Sequence, residues 1–285
     1  MRNASLLLAL GLCLAACDWE SDGAARLAAR YTDTSGPADV GTDEVAPPDV
    51  DLGDVGGTGL TGRWAVQVVV KGTMQPLSAP WPYVETTLFL TDLEDGAASA
   101  SWRFCDQQTA VEATPASLAS KTQFPEATQA ALEAAPLPVS LSADGLAAST
   151  LVWLWGLDGE ALGDATVKPS GIDATSPAVV DQDDDGHPGV TVEVVKPAAG
   201  MRYQARWERF DLAAGSLSED GQRIEGNLAA DAVEFVLDAS ISALKSPSKL
   251  KVDEGNGHTW RLRRVPADYT CDDLRQDAAG LFPAP

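Results

Sequence analysis

Alternation with a period of two residues dominates the chain from residue 61 onward. Across 63–71, Trp64, Val66, Val68 and Val70 share one face while Arg63, Ala65, Gln67, Val69 and Lys71 share the other. That is the pattern of a half-buried antiparallel strand. Similar runs recur at 84–91, 99–104, 151–155, 190–195, 203–210, 222–228, 232–237 and 259–265. Asp95-Gly96, Asp144-Gly145, Asp158-Gly159, Asp220-Gly221 and Asn256-Gly257 punctuate them, and such pairs supply the positive φ angles of tight hairpin turns.

Two segments read as short helices. Residues 125–135 begin with Pro125 and are followed by Pro136, the places where proline suits a helix start and a helix stop. Residues 271–279 follow Thr270, an N-cap type with Asp273 three residues on, and precede Gly280. Many strands, few helices and regular turns predict an all-β fold: a closed or nearly closed antiparallel barrel with one or two short helices, a two-sheet β-sandwich being the alternative. The expected folded domain is 61–285, with two smaller β units joined near 165–180 as the other division. Gly62-Arg63-Trp64, opening the first strand, resembles the Gly-x-Trp motif of lipocalins, which implies a barrel.

Ahead of this body the pattern disappears. From 18 to 60 the chain is rich in Asp, Gly, Pro, Thr and Ala, with Pro47-Pro48 and Gly56-Gly57 and hardly a large apolar residue after Trp19. Such composition cannot offset the entropy of ordering, so 17–60 is predicted to be a disordered acidic tether. About 40 flexible residues span roughly 35 Å. Before it, 6–16 is an apolar run behind Arg2, the size of a signal-peptide core and well short of the roughly 20 residues that cross a bilayer. It closes with Leu14-Ala15-Ala16-Cys17, which resembles the lipobox of bacterial lipoproteins. The resemblance implies a signal peptide over 1–16, cleavage before Cys17 and lipid on Cys17, with the chain anchored to a membrane of the bacterial cell envelope. The outer membrane is the expected address. Asp18 leaves the inner membrane open, because it resembles the retention signal of enteric bacteria.

Charge and cysteines narrow the picture further. Asp and Glu number 42 against 20 Lys and Arg, a formal net charge of −22, which repels phosphate backbones and argues against nucleic acid as a partner. Cys13 leaves with the signal peptide and Cys17 takes lipid, so Cys105 and Cys271 remain. In an oxidising envelope two such thiols are expected to pair, two separately buried thiols being the alternative.

The strongest site candidate is Asp181-Gln182-Asp183-Asp184-Asp185-Gly186-His187-Pro188-Gly189. Calcium is a hard cation that takes six to eight oxygens, and aspartates at alternate positions of a tight loop can converge on it. Asp181, Asp183 and Asp185 are the expected ligands, His187 adds its backbone carbonyl, and Gly186 permits the turn. The segment resembles the Asp-x-Asp-x-Asp-Gly loops of EF-hands, dockerins and thrombospondin-like repeats. It departs from the EF-hand at the twelfth position, which is Val192, with Glu193 one residue late and a strand following in place of a helix. A structural calcium ion is therefore the expected cofactor, and a solvated acidic turn the alternative.

Catalytic patterns are missing. The sequence has no Gly-x-Ser-x-Gly, no His-Glu-x-x-His and no phosphate-cradling glycine loop, and only two histidines, His187 and His258. Trp153 with Trp155, Trp102 with Phe104, and Trp207 with Tyr203 are expected in the core. Arg261 and Arg263 should point outward and Arg264 to the Trp260 face, forming surface ion pairs or, alternatively, recognising an anion or partner. The expectation is a non-catalytic, lipid-anchored envelope protein acting as a structural or adaptor module, with another envelope protein as partner. A barrel-type carrier of a small apolar ligand and a carboxylate-dependent hydrolase are the alternatives.

Overall fold

The computed structural model describes residues 59–75, 80–111, 121–196, 198–246, 250–253 and 257–283. Cys17, the predicted signal peptide and the tether up to residue 58 lie outside them.

Long strands set the frame. β1 (Gly62–Met74) pairs β2 (Trp81–Leu93) along its whole length, and β2 pairs β3 (Ser99–Val111). On its other side β1 pairs β13 (His258–Val265) and, at its far end, β12 (Leu250–Val252). β11 (Arg223–Ala239) runs beside β13 over 223–228 and then crosses to β9 (Gly200–Leu212) over 228–239. The far side of β9 is shared by β7 (Ser149–Trp155) and β8 (Val190–Lys196), and β4 (Lys121–Gln123) pairs β8. Beyond β3 come β5 (Leu137–Ser142), β6 (Gly145–Leu146) and β10 (Gly215–Ser216), and a bridge between Leu217 and Ile224 returns this strip to β11. The result is one curled antiparallel sheet forming a half-barrel, with two short α-helices among the described residues. The runs at 222–228 and 232–237 prove to be one strand, β11; Ala229 and Ala230 between them are too small to show the alternation.

The concave face holds most of the tryptophan. Trp64, Trp102, Trp153, Trp155 and Trp260 are all buried there, with Val66, Val68, Phe89, Phe104 and Leu262. Trp153 touches Trp155 edge-on with ring centroids 4.8 Å apart, and Phe89 lies 5.4 Å from Trp153 and 5.6 Å from Trp102. Burying one such ring contributes about 2–3 kcal/mol. Gly226 is required here, since a Cβ on it would stand 2.4 Å from the Trp260 ring. Trp64 is capped by Arg264, whose guanidinium lies 4.4 Å from the ring centre and donates to Thr61 O (2.6 Å), Gly221 O (3.0 Å) and Gly59 O. Leu60, which composition assigned to the tether, is buried and takes part in the core.

Helix α1 (Glu126–Glu133), preceded by Pro125 as expected, lies between β3 and β8 on the open side of the half-barrel. Its Leu132 enters the core, and Glu133 pairs with Arg103 of β3 at 3.5 Å. Helix α2 (Cys271–Leu281) covers the convex face, where Leu274 and Leu281 pack on Ala65, Leu88, Leu90, Cys105 and Val265. Thr270 and Asp273 form the reciprocal cap expected of them. Cys105 is the extra residue of a bulge in the β2–β3 register, which pairs Leu88 with Asp106 and Phe89 with Phe104. The bulge turns Cys105 outward, and it is joined to Cys271 by a disulfide, Cα atoms 5.1 Å apart. Gly280 does not end α2. Arg263 donates to Leu281 O and Arg261 to Phe282 O and Pro283 O, so arginines satisfy the carbonyls a glycine cap would otherwise serve.

The 156–189 segment contains neither helix nor regular strand and lies over the convex faces of β7, β9 and β11. Leu157, Leu162, Ile172 and Val179 pack there against Ala205, Trp207, Val233 and Phe235. Trp207 is thus buried on the outside of the barrel wall, its indole donating to Ala165 O at 2.7 Å. Asp164 and Asp173 each accept the hydroxyl and the backbone N–H of the threonine two residues on, Thr166 and Thr175, which holds both carboxyls below the usual range. No helix among the described residues is long and apolar enough to cross a membrane.

Candidate metal loop and buried charge cluster

The acidic loop is closed at its base by backbone bonds. Gln182 N donates to Gly189 O (3.0 Å), and Gly189 N donates to Val180 O (2.9 Å). Gly189 sits at φ 92°, with a would-be Cβ 2.3 Å from Gln204 O, so only glycine fits where the loop meets β9. Within the loop, Asp181 accepts from the N–H groups of Asp185 (3.2 Å) and Gly186 (2.9 Å), and Asp185 accepts from His187 N (2.9 Å) and Thr191 Oγ1. Asp184 is the one non-glycine residue with positive φ (54°) among the described residues.

Asp183 is the buried member of the three and also reaches into the body. It is 8% exposed, and its Oδ2 accepts from Thr191 N (2.8 Å) and from Thr128 Oγ1 of α1 (2.5 Å). One oxygen from each of Asp181, Asp183 and Asp185 lies within 4.8 Å of the others, so the structure gathers the three carboxylates the sequence singled out. The imidazole of His187 stacks on Tyr203, ring centroids 3.8 Å apart. Glu193 accepts from Gln123 Nε2, and Val192 is buried. His258 has both ring nitrogens engaged, Nδ1 accepting from Lys71 N and Nε2 lying 3.0 Å from Asp253 O.

The second polar site has no counterpart in the sequence reading. On the concave face of β9, Arg206 donates to both oxygens of Glu85 on β2, at 2.6 and 2.8 Å, and to Glu208 two residues on. The three are 5%, 3% and 1% exposed, and Trp155 lies 4.9 Å beneath the guanidinium. Burial by itself would lower Arg206, but Glu208 and Glu85 hold it above its ordinary value. Burial pushes the Glu208 carboxyl up to about 8, although Arg206 pulls it back. Tyr83 is likewise raised, by burial and then by Glu85. Beside the cluster is a hollow of about 40 Å³, lined in part by Glu85, Gln107, Arg202, Gln204, Arg206 and Glu234. That is room for a few water molecules. A signal existed in the sequence: Gln204, Arg206 and Glu208 alternate in phase with Phe210, opposite Ala205 and Trp207. Both faces of β9 are buried, the apolar one under the 156–189 segment and the charged one toward the interior.

The basic cluster resolves into structural contacts. Arg263 pairs with Glu225 (3.2 Å), Arg261 donates to Gln67 Oε1, and Arg264, on the Trp260 face as expected, is buried over Trp64. Set beside protein-family models, curated proteins and solved structures, the chain matches none of them.

Proposed function

We propose that the chain is a non-catalytic, lipid-anchored protein of the bacterial cell envelope whose half-barrel acts as a structural or adaptor module. The observation that carries this reading is the close aromatic packing of the interior among the described residues. A carrier of small apolar cargo needs a cavity of roughly 300 Å³ or more lined by aromatic groups. Here Trp102, Trp153 and Trp155 spend their surfaces on one another and on Phe89, Phe104 and Phe124. The hollow that opens beside Trp155 is small and bordered by charge. A hydrolase reading would need a carboxyl pair within reach of substrate, whereas Glu85 and Glu208 are buried around Arg206. Such a body has its loops and the outer surfaces of α2 and the 156–189 segment to offer a partner.

Native mass spectrometry of the full chain, extracted from host membranes in mild detergent, tests the adaptor reading. The expected species is the acylated chain, free of apolar cargo and co-eluting with another envelope protein. A stoichiometric surplus mass of a small apolar molecule would replace the adaptor with the carrier. For the anchor, Cys17→Ser is expected to move the protein from the membrane to the soluble fraction; unchanged membrane association would refute lipidation at Cys17.

A further inference from the structure

We propose that Asp181, Asp183 and Asp185 hold a calcium ion, and that this ion fastens α1 across the open side of the half-barrel. The first half stands on Asp183. Its Oδ2 is fully engaged, but its Oδ1 is buried with no hydrogen-bond partner. Buried carboxylate oxygens are costly without a donor or a cation. Among the described residues, no lysine or arginine forms an ion pair with any of the three aspartates. One carboxylate oxygen of each lies within 4.8 Å of the others. Oxygens bound to one calcium ion at 2.3–2.6 Å can be no more than about 5 Å apart, so the spacing fits a shared ion.

The donor set chooses the metal class. All three side chains offer hard oxygen, and no thiol or imidazole joins them; the His187 ring is occupied by Tyr203. Zinc and copper would call for nitrogen or sulfur. Magnesium demands near-ideal octahedral geometry, whereas calcium accepts the irregular arrangement that a loop framed by its own backbone bonds provides.

The second half stands on Thr128. This residue of α1 is fully buried, and its hydroxyl lies 2.5 Å from Asp183 Oδ2 and 2.9 Å from Thr191 O. An eight-residue helix is marginal by itself. Toward β3, α1 is held by Leu132 and by the half-exposed Glu133–Arg103 pair. Toward β8, its polar attachments are Thr191 O and the carboxylate that would also ligate the ion. An ion on Oδ1 fixes the carboxylate plane, and with it the acceptor that positions Thr128.

The test uses the full acylated protein in mild detergent, stripped with chelator and then titrated with calcium chloride. Native mass spectrometry should count one calcium per chain. Asp183→Asn and the exposed Asp181→Asn should each weaken binding at least tenfold, the second remaining informative if the first fails to fold. Hydrogen exchange of the amides at 129–134 should slow at least tenfold on adding calcium, and Thr128→Val should abolish that slowing while one calcium still binds. Absence of stoichiometric calcium at millimolar concentration, or unchanged binding by Asp181→Asn, overturns the site. Protection of 181–189 without protection of α1 overturns the fastening, and equal protection by magnesium overturns the choice of ion.

Discussion

Replacing Arg206 with methionine is expected to destabilise the body by about 3–5 kcal/mol, the cost of stranding buried carboxyls without their cation. Glu85 and Glu208 both meet Nη2 of this guanidinium at 3% and 1% exposure, so bulk solvent cannot replace the lost charge. Urea unfolding followed by tryptophan fluorescence measures the loss. On the same strand, Arg209 pairs with Asp211 at the surface, the two side chains 39% and 41% exposed. Arg209→Ala should therefore cost less than about 1 kcal/mol. Equal effects from the two substitutions would refute a dry interior cluster.

The same cluster fixes the sign of a pH dependence. Burial holds the Glu208 carboxyl up to about 8 in the folded protein, against about 4.3 in an unfolded chain. Between these values the folded state keeps a proton that the unfolded state has released. The stabilisation is whole below about pH 4, drains away as pH rises toward 8, and is gone above it. Glu208→Gln imitates the protonated carboxyl and has nothing to release. Its stability relative to the native protein should therefore climb steadily from pH 5 to pH 8, and a pH-independent difference over that range would show that Glu208 is not held as an acid.

The second large effect belongs to the disulfide. Cys105 and Cys271 are 166 residues apart in sequence. Closing so long a loop contributes about 4–5 kcal/mol in the chain-entropy model. The paired substitution Cys105→Ser, Cys271→Ser should approach that loss. It should also free α2 first, because Cys271 begins the helix and Leu274 and Leu281 are its main apolar hold on the sheet. Hydrogen exchange would show α2 amides opening before those of β1 and β2. A non-reducing peptide map should link the two cysteines, and recovery of both as alkylated thiols would refute the bond.

Strand positions were legible because β1, β2 and β13 bury one residue in two against a common interior, and that leaves a period in the sequence. The ends of α2 were half legible. Thr270 and Asp273 announce its start through local hydrogen bonds, whereas its last turn is completed by Arg261 and Arg263 from a distant strand. β5 has no counterpart among the expected strands although Leu137, Val139 and Leu141 alternate inward, because it is only six residues long and follows directly on Pro136. Residues 165–180, the joint of the alternative two-unit division, belong to a segment at 156–189 that covers the convex sheet with scattered apolar residues that follow no period.

By itself the sequence determined an all-β body, the turns at Asp95-Gly96, Asp144-Gly145 and Asp220-Gly221 (Asp158-Gly159 makes no hairpin, and Asn256 lies outside the described residues), the cysteine pair and the run of alternating aspartates, since each depends on residues close together or on a short list of partners. Tertiary structure alone decided that the sheet curls into a half-barrel, that Asp183 turns inward onto α1, and that Arg206 meets two buried glutamates. These outcomes depend on which faces of distant strands meet. A charged residue in a strand carries no local sign of whether its neighbour across the interior is water or an opposite charge.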